Sequence, residues 1–162
     1  MKESVLARDL MSRPVRRLTS STPVRDAAAF LLRHRISGAP VVDAHGRWVG
    51  VFTQKDLARH VQKALAVPRE ERTLESREPV LDAAGMPTEE FGKTPVRELM
   101  TRGLFTVFPD ATLEEVVRTM VAYHVHRIFV IEPERGELEG VITTMDVLRA
   151  LREKSIRLFS PA

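Results

Sequence analysis

Two short segments of the 162-residue chain carry residue types that do chemistry at a fixed spacing: Thr53-Gln54-Lys55-Asp56 and Thr143-Thr144-Met145-Asp146. A threonine with an acid three residues later suits the first turn of a helix, where hydroxyl and carboxylate accept unpaired backbone N–H groups. The same place suits a ligand. Backbone N–H groups and the positive end of the helix dipole favour a phosphate. A carboxylate has two acceptor oxygens and matches a ribose diol that donates twice. The two uses do not compete, so capping and ligand contact are both open for each copy.

Other chemistry is excluded or weak. The chain has no cysteine, which removes disulfides, thiolate metal sites and cysteine nucleophiles together. His124-x-His126 has no third ligand nearby, and on a helix that spacing splays the two rings. No glycine-rich phosphate loop, HExxH motif or nucleophile elbow occurs. Neither a catalytic residue nor a metal ligand is expected, and the chain reads as a non-enzyme. Arg16, Arg17, Arg33 and Arg35 form a basic patch without interleaved aromatic residues, which reads as a solvated face. A net charge of +3 also counts against nucleic acid.

The elements that must position the two Thr-Asp segments come from an internal repeat. Displaced by 89 residues, Arg8, Leu10, Met11, Arg13 and Val41 meet Arg97, Leu99, Met100, Arg102 and Val130. Displaced by 90 beyond residue 48, Gly50, Val51, Thr53, Asp56 and Arg59 meet Gly140, Val141, Thr143, Asp146 and Arg149. The extra residue falls in a turn, where His45-Gly46 corresponds to Glu134-Arg135-Gly136. Val24, Ala27, Ala28, Leu31 and Leu32 share a helical apolar spacing with Leu113, Val116, Val117, Met120 and Val121. Thr22 is the expected N-cap of the first helix, with Pro23 at its first position; Thr112 with Glu115 makes a capping box in the second. Short strands are expected before each helix, over Val15–Thr19 and Leu104–Phe108. Hairpins are expected after it, from Ala39–Val42 with Trp48–Phe52 and from Ile128–Ile131 with Leu138–Ile142. A further helix closes each unit, carried by Leu57, Val61 and Leu65, and by Val147, Leu148 and Leu151.

The fold class is therefore α/β (α+β), with a β-α-β-β-α unit used twice. A unit of about 60 residues makes a marginal core alone, so the two are expected to pack around a pseudo-twofold axis in one globule. The repeats span 1–65 and 94–162. The connection over 66–93, rich in proline and charge, is expected to run over the surface with a short helix at Pro68–Ser76. Hydrophobic residues at 43% and charged residues at 29% suit a globular chain. No apolar run reaches the roughly 18 residues of a membrane span, and Met1-Lys2-Glu3-Ser4-Val5 lacks a secretory signal. A cytoplasmic location without membrane contact is expected.

The repeated residues carry a resemblance. Asp9-Leu10-Met11 and Glu98-Leu99-Met100, Ser37-Gly38-Ala39-Pro40-Val41-Val42-Asp43, Gly50-Val51-Phe52-Thr53-Gln54-Lys55-Asp56 and Gly140-Val141-Ile142-Thr143-Thr144-Met145-Asp146 resemble a tandem pair of CBS domains, or Bateman module. The second repeat, with Val125-His126-Arg127-Ile128, is similar to repeats of the γ subunit of AMP-activated protein kinase. The resemblance implies a stand-alone regulatory module that binds adenosine-containing ligands in clefts between repeats. It implies one cleft from Thr53, Lys55 and Asp56 with Leu104, Phe105, His126 and Arg127, and another from Thr143, Thr144 and Asp146 with Val15, Arg16, Ser37 and Gly38. Phe105 has two readings, stacking on the purine or plain core. His126-Arg127 has two as well, phosphate contact or a polar helix end. AMP, ADP and ATP are the implied ligands, ahead of NAD and S-adenosylmethionine, and no cofactor is required. The implied partners are a second copy, docked through the second helices and the Asp9-Leu10-Met11 turn, and an unidentified regulated protein. The alternative is a protein-interaction or oligomerisation module with vestigial clefts.

Overall fold

The apolar stripes and the hairpin signals produce elements close to those expected. The computed structural model describes residues 5–65 and 91–159. In chain order these are α1 (Ala7–Leu10), β1 (Leu18–Thr19), α2 (Val24–Arg33), β2 (Gly38–Val42), β3 (Trp48–Thr53), α3 (Gln54–Leu65), β4 (Thr101–Arg102), β5 (Thr106–Val107), α4 (Leu113–Ala122), β6 (Arg127–Ile131), β7 (Leu138–Thr143) and α5 (Thr144–Phe159). Two 3-10 turns, Phe91–Lys93 and Val96–Glu98, precede β4. The helix expected at Pro68–Ser76 lies outside the described residues.

The chain divides into two units that cut across the sequence repeats. One comprises Arg16–Gly103; the other joins Met1–Val15 to Leu104–Ala162. The leading segment of each repeat is thus built into the unit that carries the other repeat's hairpin.

In the Arg16–Gly103 unit, four strands lie in the order β1-β2-β3-β4. β1 runs parallel to β2, β2 and β3 form an antiparallel hairpin, and β4 adds antiparallel to β3 through Gly50↔Arg102 and Val51↔Thr101. Val24, Leu31, Val41, Phe52 and Val96 are buried together. Removing a side chain such as Phe52 from a core of this kind costs about 3–5 kcal/mol. Val96 arrives from the second repeat's leading segment, tied in by Val24 N–H to the Thr94 carbonyl (2.8 Å) and Val96 N–H to the Thr22 carbonyl (2.9 Å).

The other unit follows the same plan with three strands, β5-β6-β7. Ala7, Val116, Ile128, Val130 and Ile142 form its buried core. Here the leading segment is the N-terminal one. Ser12 bridges Val141 through two backbone hydrogen bonds of 2.9 and 3.2 Å, and Arg13 pairs with Glu139 at 2.7 Å. Displaced by 89, Ala7 meets Val96 and Ser12 meets Thr101, so the two units use the same docking. It depends on a missing side chain: a Cβ on Gly50 meets the Thr101 carbonyl and Met100, and one on Gly140 meets Met11.

The structure corrects several local expectations. The first strands are shorter than Val15–Thr19 and Leu104–Phe108, because the parallel ladders hold two residue pairs each, Leu18↔Val41 with Thr19↔Val42 and Thr106↔Phe129 with Val107↔Val130. Val15, Arg16, Leu104 and Phe105 therefore lie ahead of strands. Thr22 does not cap α2. Its hydroxyl takes the Thr19 N–H at 3.2 Å and pairs with the Thr19 hydroxyl, leaving Pro23 at the cap. The Thr112–Glu115 capping box forms. The hairpin turns absorb the extra residue: Asp43 N–H reaches the Arg47 carbonyl, and Glu132 N–H the Glu137 carbonyl. Both α2 and α4 end on left-handed residues other than glycine, Arg35 (φ 52°) and His124 (φ 51°). Each end closes as a Schellman motif, with Ile36 N–H on the Leu31 carbonyl and Val125 N–H on the Met120 carbonyl, both 3.0 Å.

Candidate functional site

In the Arg16–Gly103 unit β3 ends at Thr53 and α3 begins at Gln54, so the helix starts where the sheet stops. Thr53 N–H and hydroxyl donate to Asp56 Oδ2 at 2.8 and 2.6 Å, and Asp56 N–H donates to Thr53 Oγ1 at 3.3 Å. The capping box is real. Asp56 is only 4% exposed. Its other oxygen, Oδ1, accepts from the Thr101 hydroxyl at 3.3 Å, and Arg59 stands 3.9 Å away. Gln54 N–H donates to the Ser37 carbonyl at 3.1 Å, and Gly38 pairs with Thr53. Ser37, Gly38, Thr53 and Asp56 thus form one group, with Lys55 exposed in the first turn of α3.

The other unit repeats the arrangement. Thr143 N–H and hydroxyl donate to Asp146 Oδ2 at 2.8 and 2.6 Å. Arg149 Nη1 donates to Asp146 Oδ1 at 2.9 Å. Thr144 N–H and hydroxyl donate to the His126 carbonyl at 3.2 and 3.4 Å, and Arg127 pairs with Thr143. His126, Arg127, Thr143, Thr144 and Asp146 form this group. Phe105 accepts the Phe129 N–H on its carbonyl at 2.9 Å, and its ring lies 4.8 Å from that of Tyr123. At 38% exposure Phe105 is not plain core.

Each set expected to share a cleft draws on both units. Thr53, Lys55 and Asp56 belong to one, while Leu104, Phe105, His126 and Arg127 belong to the other. Thr143, Thr144, Asp146 and Val15 share a unit, whereas Arg16, Ser37 and Gly38 sit in its counterpart. His124 and His126 are not on a helix. α4 stops at Ala122, and Arg127 opens β6, so His126-Arg127 is a strand entry and not a helix end. Among the described residues, no group of three side chains capable of holding a metal occurs.

Three residues at the carboxylates, Arg59, Arg149 and Thr101, were not assigned to the site from the sequence. Arg149 had a usable signal, its place three residues after Asp146 and its match to Arg59. Thr101 had none, since it lies 45 residues from Asp56 in the chain.

The CBS domain model matches residues 7–63 and 96–153, which covers both Thr-Asp segments and both docking segments. The chain belongs to the CBS domain family. Protein MJ1426 of Methanocaldococcus jannaschii is 30% identical to this CBS pair, over 92% of each chain. The L-aspartate semialdehyde sulfurtransferase of the same organism is 28% identical over 89% of this chain, which spans 23% of that enzyme. Among solved structures, the CBS domain pair of MJ0100 in complex with 5-methylthioadenosine and S-adenosyl-L-methionine superposes with a TM-score of 0.71 at 24% identity, covering 93% of this chain and 98% of that one. CBSX2 in complex with AMP gives 0.67 at 24% identity, with the same coverage. No helix among the described residues is long and apolar enough to cross a membrane.

Proposed function

We propose that this CBS pair is a cytoplasmic regulatory module that senses an adenosine-containing ligand and acts as a homodimer on a partner protein. AMP, ADP and ATP stand ahead of NAD and S-adenosylmethionine. The observation that carries the reading is the doubled Thr-Asp constellation. The same buried carboxylate stands at the same helix start in both units, with Oδ2 committed to the cap. Oδ1, with two lone pairs and one hydrogen-bond donor in each unit, has acceptor capacity for a ribose hydroxyl. In this reading Asp56 and Asp146 take the ribose. Thr53, Lys55, Thr143 and Thr144 face the phosphate, as do His126 and Arg127, while Ser37 and Gly38 allow close backbone approach. Val15, Leu104 and Phe105 flank the purine, as does the backbone of Arg16. Family membership supports regulation, and the ligands named for MJ0100 and CBSX2 support the adenosine group.

Binding transmits a signal only through different affinities for two states of the module or its dimer. A second reading, an interaction module with vestigial clefts, draws on the exposed Leu32, Val121, Met145 and Leu148. Thermal unfolding with millimolar AMP, ADP, ATP, NAD and S-adenosylmethionine separates the two. A ligand at about 100 times its dissociation constant adds about 2.7 kcal/mol, a rise of several degrees. A rise with an adenosine ligand and not with its guanosine counterpart is expected. No rise with any of them overturns the sensing reading in favour of the interaction module.

A further inference from the structure

We propose that Arg16, Arg33 and His34 form an anion-binding site, present in the Arg16–Gly103 unit alone, that takes the phosphate end of a nucleotide. The carrier's identity rests on the nucleotide-sensing reading; the anion site itself does not.

The topology brings the three residues together. β1 and β2 run parallel, so the end of α2, which leads into β2, lies at the same end of the sheet as the residues leading into β1. The other unit shows the positions in contact. Displaced by 89, Arg16 and His34 meet Phe105 and Tyr123, whose rings lie 4.8 Å apart. At the place where one unit packs two rings, this unit has an arginine and a histidine, with Arg33 next to the histidine. The fold therefore does not require positive charge there.

Neither arginine is ion-paired among the described residues: the ion pairs there involve Arg13, Arg25, Arg47, Arg59, Arg118 and Arg149, not Arg16 or Arg33. His34 is held edge-on against Phe30, with ring centroids 4.5 Å apart. Desolvation, then the charges of Arg16 and Arg33, lower its proton affinity below the ordinary histidine value. Two arginine charges beside a histidine disfavour its proton, and an anion bound among them turns that repulsion into attraction. The guanidinium fork matches phosphate oxygens, and a compact site of two forks and an imidazole suits a small phosphate group.

The test uses the full chain at low salt with sodium pyrophosphate, ADP and adenosine as titrants. Its variants are Arg33→Glu and, as a control with the same charge change in the other unit, Arg118→Glu. Pyrophosphate and ADP should bind the wild type. Arg33→Glu should weaken both about tenfold or more, with adenosine affinity unchanged and Arg118→Glu close to wild type. In wild-type proton NMR, the His34 ring should titrate at higher pH in pyrophosphate than in chloride, because an adjacent anion favours the imidazolium. Pyrophosphate affinity equal in wild type and Arg33→Glu, or a His34 titration indifferent to pyrophosphate, overturns the site. Pyrophosphate binding lost in Arg33→Glu, in a protein that binds no adenosine, keeps the site and overturns the nucleotide reading instead.

Discussion

Arg149 donates to Asp146 Oδ1 at 2.9 Å, while its repeat counterpart Arg59 stands 3.9 Å from Asp56 Oδ1. The chain around the two carboxylates repeats, yet they are unequal acceptors. At Asp146 the outer oxygen is engaged by a guanidinium; at Asp56 it meets the Thr101 hydroxyl at 3.3 Å.

Arg149→Ala should therefore strengthen adenosine-ligand binding at the Asp146 helix start. Arg149 is 61% exposed, and such ion pairs are worth about 0.2–1 kcal/mol, so the gain is up to about fivefold. Titration calorimetry with AMP or adenosine measures it. A loss of affinity would place the guanidinium on the ligand instead.

Asp56→Ala should act twice. It removes the acceptor of the Thr53 N–H and hydroxyl, costing about 1–3 kcal/mol of stability. It also removes the ribose acceptor, weakening the ligand about tenfold or more. Denaturant unfolding and calorimetry read the two effects separately. Lower stability with unchanged affinity would reduce Asp56 to a helix cap.

Much of the site was legible because its parts are local. A strand, a threonine and an acid three residues on define the helix start within one stretch of chain, and the repeat doubled the signal. What stayed hidden was which sheet each leading segment joins. Thr101 and Ser12 belong to matching segments and face matching edges, at Val51 and Val141. Two equivalent partners give one sequence pattern. The helix ends were hidden for a different reason. Glycine usually marks a left-handed cap, and here Arg35 and His124 take the place.

Those caps carry a measurable strain. A left-handed conformation costs a residue with a side chain about 1–2 kcal/mol, part of which glycine returns as backbone entropy. Arg35→Gly and His124→Gly should each raise stability by about 0.5–1 kcal/mol. A fall in melting temperature for either would mean that its side chain contributes more than the strain removes.

The two close approaches should respond differently to an added methyl. In Gly50→Ala the obstacle includes the Thr101 backbone carbonyl, whereas in Gly140→Ala it is the Met11 side chain. Both should destabilise, by about 1–3 kcal/mol. Adding Met11→Ala should lessen the penalty at Gly140, and adding Met100→Ala should not remove it at Gly50. Equal rescue in both double variants would contradict the backbone contact.

Glu115 gives a pH test. Hydrogen bonds from the Thr112 N–H, then from its hydroxyl, hold the carboxyl below its ordinary 4.5. A lowered carboxylate contributes fully above that ordinary value, and its contribution is lost as pH falls through the native value beneath it. Acid unfolding should therefore shift in Glu115→Gln, with a shallower loss of stability below pH 4.5 than in wild type. Parallel curves for the two proteins would show that the capping bonds do not favour the ionised form.

The exchanged leading segments tie the core of each unit to both repeats. A gene cut at the boundary the repeats suggest would yield one fragment with Ala7 and Ser12 but without Val96 and β4, and another with the reverse. Each half would carry the plug for a hole in its sibling. Such halves are natural candidates for a split protein that reassembles from two polypeptides. A single repeat of this design would match its own leading segment to the open core of a second copy.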